Sequence, residues 1–172
     1  MRTDQSMARV LAENGLKLSR ARLQELVKKK QRRALLDLAR YGQIAPGSPE
    51  LIRALAKKYR LALASSASLA TVGLFLERCG YGRLFEFSID GSQIKKAKPS
   101  PEIYQLASAK LRLLPRVCLV IEDALRGVEA ARAAGMSVIA LAPQSRREQF
   151  IGAGATAVIS SLKSLRPLLL VS

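Results

Sequence analysis

Apolar residues are spaced along this chain in two different ways, and the change falls near residue 60. Up to there they recur at helical intervals, and no segment alternates or runs apolar for long enough to make a strand. A short helix is expected over about Asp4 to Asn14, closed by Gly15. A longer one starts after Ser19, a suitable N-cap, and ends near Tyr41 with Gly42 beyond. Leu23, Leu26, Val27, Ala34, Leu35 and Leu38 form its apolar stripe. The run KKKQRR, Lys28 to Arg33, falls largely on the other side, as a solvated face or an anion-binding one. GQIAPGSPE reads as a loop in which Ser48 caps a third helix and Pro49 takes its first position.

From Leu61 the runs become short, dense and rich in β-branched or aromatic residues. Leu61–Ser65, Phe85–Ile89, Val117–Ile121, Ser137–Leu141 and Thr156–Ser160 are predicted strands, and helical stretches lie between most of them. Strand–helix alternation predicts an open parallel α/β sheet covered on both faces. Ligands of such sheets bind beyond the carboxyl ends of the strands, so the loops that follow strands are the places to search.

Composition narrows the chemistry. The chain has 172 residues, is 49% hydrophobic and 24% charged, and holds no run long enough to span a bilayer. MRTDQSMARVLAENG lacks the apolar region of a signal peptide, so a cytoplasmic protein is expected. There is no histidine, which removes Ser-His-Asp and Cys-His catalysis and imidazole metal ligands. Cys79 and Cys118 make no metal or redox motif and read as buried free thiols. The net charge is +16, and residues 1–60 hold 15 Lys/Arg against 5 Asp/Glu. Such a field favours anionic partners. The basic runs lack interleaved aromatics, and no duplex-reading motif occurs, which counts against nucleic acid.

Three post-strand loops carry candidate chemistry. In LALASSAS, Ser65 and Ser66 stand between a strand and a helix, where hydroxyls and free N–H groups either cap the helix or hold a phosphate. In KKAKPSPEIY, Lys98 precedes Pro99 and is held out of helix, as a surface turn residue or a phosphate counter-ion, and Ser100 and Pro101 open the next helix. In VCLVIEDALRGVEAARAAGM, Glu122 and Asp123 leave the most apolar strand together. One acid would cap a helix; two suit a hard cation such as Mg²⁺, which takes one or two carboxylates with water and substrate phosphate. Gly127 and the alanines that follow let the next helix approach the sheet, and Gly135 fits its end.

The order of these loops resembles the haloacid dehalogenase superfamily, in its β-phosphoglucomutase and phosphoglycolate-phosphatase-like branch. LALASSAS resembles the family's second motif, KAKPSPEIY its third and VIEDALRGVEAARAAGM its fourth. The resemblance implies a Rossmann-like α/β core over residues 46–172 and part of an α-helical cap over 1–45. It implies phosphoryl transfer on a small phosphorylated metabolite. By it, Ser65 and Ser66 hold the phosphate, Lys98 neutralises it, and Glu122 and Asp123 hold Mg²⁺ directly or through water.

The chain also departs from that family. Its members begin with a strand ending in a DxDGT-type motif that supplies the nucleophile and the general acid/base. Before residue 60 this sequence has only Asp4, with no strand before it, and Asp37, inside a helix. The mutase-like pattern has a serine and a lysine just past the phosphate-binding serine, where Ala67 and Ser68 stand here; Ala124 replaces a frequent serine. The chain is therefore expected to be an N-terminally truncated relative, inactive alone and with weak or absent Mg²⁺ binding. The alternative is a relative without catalysis that binds a phosphorylated ligand or an anionic partner. The missing strand would be central, between those ending at Ser65 and Glu122. Direct pairing of the two, self-association or a strand donated by a partner would then be expected.

Overall fold

The computed structural model describes residues 7, 8 and 11–169. Residues 7–8 and 11–13 are helical, and Gly15 closes that segment with φ 72°; the expected start at Asp4 lies outside the described residues. Helix α1 (Arg20–Tyr41) begins at Ser19, whose hydroxyl accepts from Arg22 N at 3.3 Å. It buries no residue fully and rests its apolar stripe on α3 (Leu69–Cys79). Arg78 of α3 donates to the carbonyls of Leu38 and Ala39, giving the orphan acceptors at the end of α1 a cationic partner.

Helix α2 (Ser48–Ala56) follows the expected loop, but Ser48 is not its cap. Gly47 takes that position with φ 80°, while the Ser48 hydroxyl is buried, donates to Ala45 O at 2.8 Å and meets Tyr81 Oη at 3.3 Å. Ser100 is displaced from its expected role in the same way. The cap of α4 (Glu102–Leu111) is Pro101, and Ser100 makes only a long 3.4 Å contact with Glu102 N.

Five strands appear in the expected order: β1 (Ala62–Ala64), β2 (Phe87–Ile89), β3 (Leu119–Glu122), β4 (Ser137–Leu141) and β5 (Ala157–Ile159). Four differ from the expected spans, and most are shorter. Val117, for example, sits in a tight turn where its N–H and that of Cys118 bond to Leu114 O and Pro115 O. Helices α5 (Leu125–Ala133), α6 (Arg147–Gly152) and α7 (Leu165–Leu169) complete the chain. All pairings are parallel, as strands joined through helices must be.

The strands form two sheets, β1–β2 and β3–β4–β5, and β1 does not pair with β3. The gap expected between them is therefore left open among the described residues. Side chains bridge what hydrogen bonds do not. Ile89 of β2, Ile103 and Tyr104 of α4, Val128 of α5 and Val138 of β4 share one buried cluster, with Ala64 of β1 and Val120 of β3 packed against it. A smaller cluster, Leu51, Leu55, Ile139, Ile159 and Leu165, ties α2 and α7 to the far face. Cys79 is buried as expected, but Cys118 is only half-buried.

Candidate active site

The carboxyl ends of β1 and β3 open into one cavity of about 510 Å³. Ser65, Ser66, Lys98, Glu122 and Asp123 all line it, with Arg126 at its edge. Residues far apart in sequence are thus brought together, each by a different local device.

The serine loop is held by backbone. Ser65 N donates to Ile89 O at 2.9 Å, and the Ser65 hydroxyl accepts from Ala67 N at 3.2 Å. Neither Ser65 nor Ser66 caps the following helix; Ser68 does, accepting from Thr71 N at 3.3 Å. The capping explanation of the first two serines is thereby removed. Behind the loop, Gly91 N donates to Ala67 O at 2.8 Å, and a side chain on Gly91 would come within 2.7 Å of Ser66 O. Only glycine allows that approach.

Asp90, which the sequence reading did not single out, organises this turn from beneath. It is 2% exposed and accepts from Ser92 N and Gln93 Nε2, both at 2.8 Å. Burial pushes its carboxyl up, but those hydrogen bonds outweigh it and hold it below the ordinary value. The signal was present: SIDG is an apolar strand ending in an acid and a glycine, the same post-strand position as the other loops.

Lys98 is presented by a loop that Glu102 ties down. The Glu102 carboxylate reaches back to accept from Lys95 N at 2.6 Å and Lys96 N at 2.7 Å. The Lys98 ammonium then donates to Glu122 Oε1 and lies 5.0 Å from the centre of the Tyr104 ring.

The adjacent acids differ in their partners. Glu122 is buried, and both oxygens are taken. Oε1 accepts from Lys98 Nζ and from Tyr104 Oη at 2.8 Å, and Oε2 from Asp123 N and Ala124 N, each at 3.0 Å. Burial pushes the Glu122 carboxyl up, but the Lys98 charge and these donors together hold it below its ordinary value of 4.5. The Tyr104 hydroxyl is raised far above its usual range, by burial first and then by the Glu122 charge. Asp123 is exposed, and no hydrogen bond engages its carboxylate among the described residues. No group of three or more His, Cys, Asp or Glu side chains gathers around a metal position among them. Asp123 therefore fits Mg²⁺ as a single oxygen ligand, completed by water and substrate oxygens, whereas Glu122 is already committed to the protein.

Gly127 makes room for Glu122: a Cβ there would overlap the Glu122 carboxyl group itself. Gly127→Ala is thus expected to expel a buried carboxylate and strand Lys98, destabilising by about 3–5 kcal/mol. Glu122→Gln removes the charge without the clash and should cost a similar order. The wild-type contribution of Glu122 is complete above pH 4.5 and is lost as pH falls through its lowered folded value. Melting curves at pH 7 and pH 3 check this: both variants should lie well below wild type at pH 7, and Glu122→Gln should converge on it in acid. Equal melting at pH 7 would contradict the packing described.

The chain, a parallel α/β core with a serine loop, a lysine loop and an acid pair at one sheet mouth, belongs to the haloacid dehalogenase-like hydrolases, whose family model matches residues 4–135. Among curated relatives, Protein CbbY of Rhodobacter capsulatus is 35% identical over 127 residues, covering 70% of this chain and 56% of that protein. A probable pseudouridine-5'-phosphatase of Drosophila melanogaster is 35% identical over 146 residues, 80% of this chain and 63% of its own length. The crystal structure of CbbY from Rhodobacter sphaeroides in complex with phosphate superimposes with a TM-score of 0.79 at 29% identity, covering 95% of this chain and 74% of that one. The chain thus spans less than two thirds of the length of these curated relatives.

Proposed function

We propose that this chain carries the phosphate-binding and metal-facing side of a phosphatase or phosphomutase site for small phosphorylated metabolites. In this reading residues 1–45 form part of a helical cap and 46–172 the core. The observation that carries it is the convergence of Ser65, Ser66, Lys98 and Asp123 on one cavity with the capping role of both serines excluded. The Ser65–Ser66 backbone and hydroxyls bind phosphoryl oxygens, and Lys98 offsets their charge. Lys98 is positioned by Glu122, Tyr104 and the Glu102-tied loop. Mg²⁺, held by Asp123 and reached by Glu122 only through its surroundings, would supply Lewis-acid polarisation of a phosphoryl oxygen.

Among the described residues no lining acid is left to be a nucleophile, since Glu122 is fully engaged and Asp123 is the proposed metal ligand. Asp37 is on α1, paired with Arg33 at 2.9 Å. The chain is therefore proposed to be inactive alone, its missing carboxylate arriving on a strand that enters between β1 and β3. The same observation supports a second reading, a relative without catalysis that retains phosphate-ligand binding.

Titration with inorganic phosphate, followed by backbone amide shifts, tests the common part of both readings. Weak, roughly millimolar binding is expected to move Ser65, Ser66, Ala67 and Lys98, and Ser66→Ala should weaken it several-fold, the order of one hydrogen bond to a charged group. Shifts confined to Lys28–Arg33, with none at Ser66 or Lys98, would remove the pocket from consideration.

A further inference from the structure

The serine loop is gripped by the chain that leaves β2. Ser65 N donates to Ile89 O at 2.9 Å and Gly91 N to Ala67 O at 2.8 Å, so backbone bonds to the loop bracket Asp90. Asp90 itself is 2% exposed and does not line the phosphate cavity. Its carboxylate leads away to the surface. Oδ1 accepts from Ser92 N at 2.8 Å, and Oδ2 from Gln93 Nε2 at 2.8 Å. Gln93 Oε1 in turn accepts from Lys110 Nζ at 3.1 Å. Lys110 stands on α4, with its ammonium 5.4 Å from the centre of the Phe87 ring of β2.

This chain of side chains has only one polarity. A carboxylate accepts and an ammonium donates, so the amide between them must turn its nitrogen to Asp90 and its oxygen to Lys110. Each bond thereby enforces the next. The same helix reaches the other phosphate-facing loop: Glu102 ties the backbone of Lys95 and Lys96, and Tyr104 bonds to the Glu122 that holds Lys98. We propose, resting on the phosphate reading of Ser65 and Ser66, that Asp90 is a positioning residue for phosphate. Through Gln93 and Lys110 it anchors the serine loop to α4, which sets both loops against the same ligand. A loop that spends less time in this shape binds phosphate more weakly in the same proportion.

Reversing the polarity tests this. The amide of Asp90→Asn offers one acceptor and one donor where the carboxylate offers two acceptors, so Ser92 N or Gln93 Nε2 meets a donor. If Gln93 turns over to accept, its nitrogen meets the Lys110 ammonium instead. Adding Lys110→Glu gives the turned Gln93 an acceptor, and the chain closes in the opposite sense. Inorganic phosphate is titrated into the full chain in about 0.15 M salt, which screens exposed charges, and backbone amide shifts are followed. Asp90→Asn is expected to weaken binding about fivefold, the order of one hydrogen bond to a charged group. Hydrogen exchange at Ser65 and Gly91 should quicken with it. Lys110→Glu alone should also weaken binding, yet restore it when added to Asp90→Asn. Neither lost charge nor general destabilisation produces that change of sign. Gln93 and Lys110 are exposed, so Gln93→Leu reads the chain even where Asp90→Asn does not fold, with a roughly twofold loss expected. Wild-type affinity in Asp90→Asn or in Gln93→Leu overturns the relay and spares the phosphate site. So does a loss on Lys110→Glu that is the same with and without Asp90→Asn. Failure of the wild type to bind phosphate would instead overturn the phosphate site, and the relay with it.

Discussion

Incubated alone with p-nitrophenyl phosphate and Mg²⁺, the protein is expected to release phosphate no faster than background. Phosphoryl transfer through a covalent intermediate needs an unengaged carboxylate in line with the bound phosphorus. Of the acids that line the cavity, Glu122 has both oxygens occupied by Lys98, Tyr104 and two backbone N–H groups. Asp123, the remaining one, is the residue proposed to hold the cation. Removing a nucleophile from an enzyme costs on the order of a million-fold in rate, roughly 8 kcal/mol of barrier. That deficit is large enough for positioning by the serines and lysine to leave nothing measurable. A Mg²⁺-dependent turnover on the order of 1 s⁻¹, well inside the ordinary enzyme range, that disappears in Asp123→Asn would show that the chain holds a complete site.

The open gap carries the second large effect. Among the described residues β1 pairs only with β2 and β3 only with β4, so each turns a row of backbone donors and acceptors toward the space between them. On β3 the flanking side chains are apolar and accessible: Leu119 is 40% exposed and Ile121 38%. Unsatisfied strand edges bordered by apolar surface recruit further strands. Sedimentation is expected to show self-association in the isolated chain. A parallel apolar peptide ending in a DxDGT-type sequence should return it to monomer and raise its melting temperature. At a hundredfold excess over its dissociation constant such a peptide would stabilise by about 2.7 kcal/mol, which for a chain of this size is on the order of 5–10 °C. A proline-substituted peptide should do neither, because it cannot complete the ladder. A monomer that melts cooperatively and ignores both peptides would count decisively against a strand-accepting slot.

What could be read from the residues divides along physical lines. Strand positions were legible because a buried parallel strand must be a dense apolar run. Ser137–Leu141, bounded by Gly135–Met136 and Pro143, matches its expected span. Where the run includes residues whose N–H groups bond locally, as at Val117, the strand starts later than the apolar pattern suggests. Serine roles at helix starts were the least legible. Ser19 and Ser68 cap, but Ser48, Ser66 and Ser100 do not, because the side chain that meets the first free N–H depends on the entry angle of the chain. Ser65, Ser66, Lys98, Glu122 and Asp123 could be singled out as candidates because their loops follow strands, and the fold brings them to one cavity. Tyr104 could not be weighed from sequence, since its importance comes from burial and from a partner that only the fold supplies; Asp90 stood at a legible strand end, but its partners too come only from the fold.

The Lys98–Glu122–Tyr104 cluster sits across the divide between the two sheets: lysine and tyrosine belong to the connection and helix that follow β2, and the acid ends β3. A ligand gripping Ser66 and Lys98, and a strand wedged between β1 and β3, both act on the separation of the same two halves. Their binding equilibria are then linked, and linkage is symmetric: whatever factor the strand contributes to phosphate affinity, phosphate must return to strand affinity. Under the proposed function, assembly and ligand occupancy are two readouts of a single coupling constant.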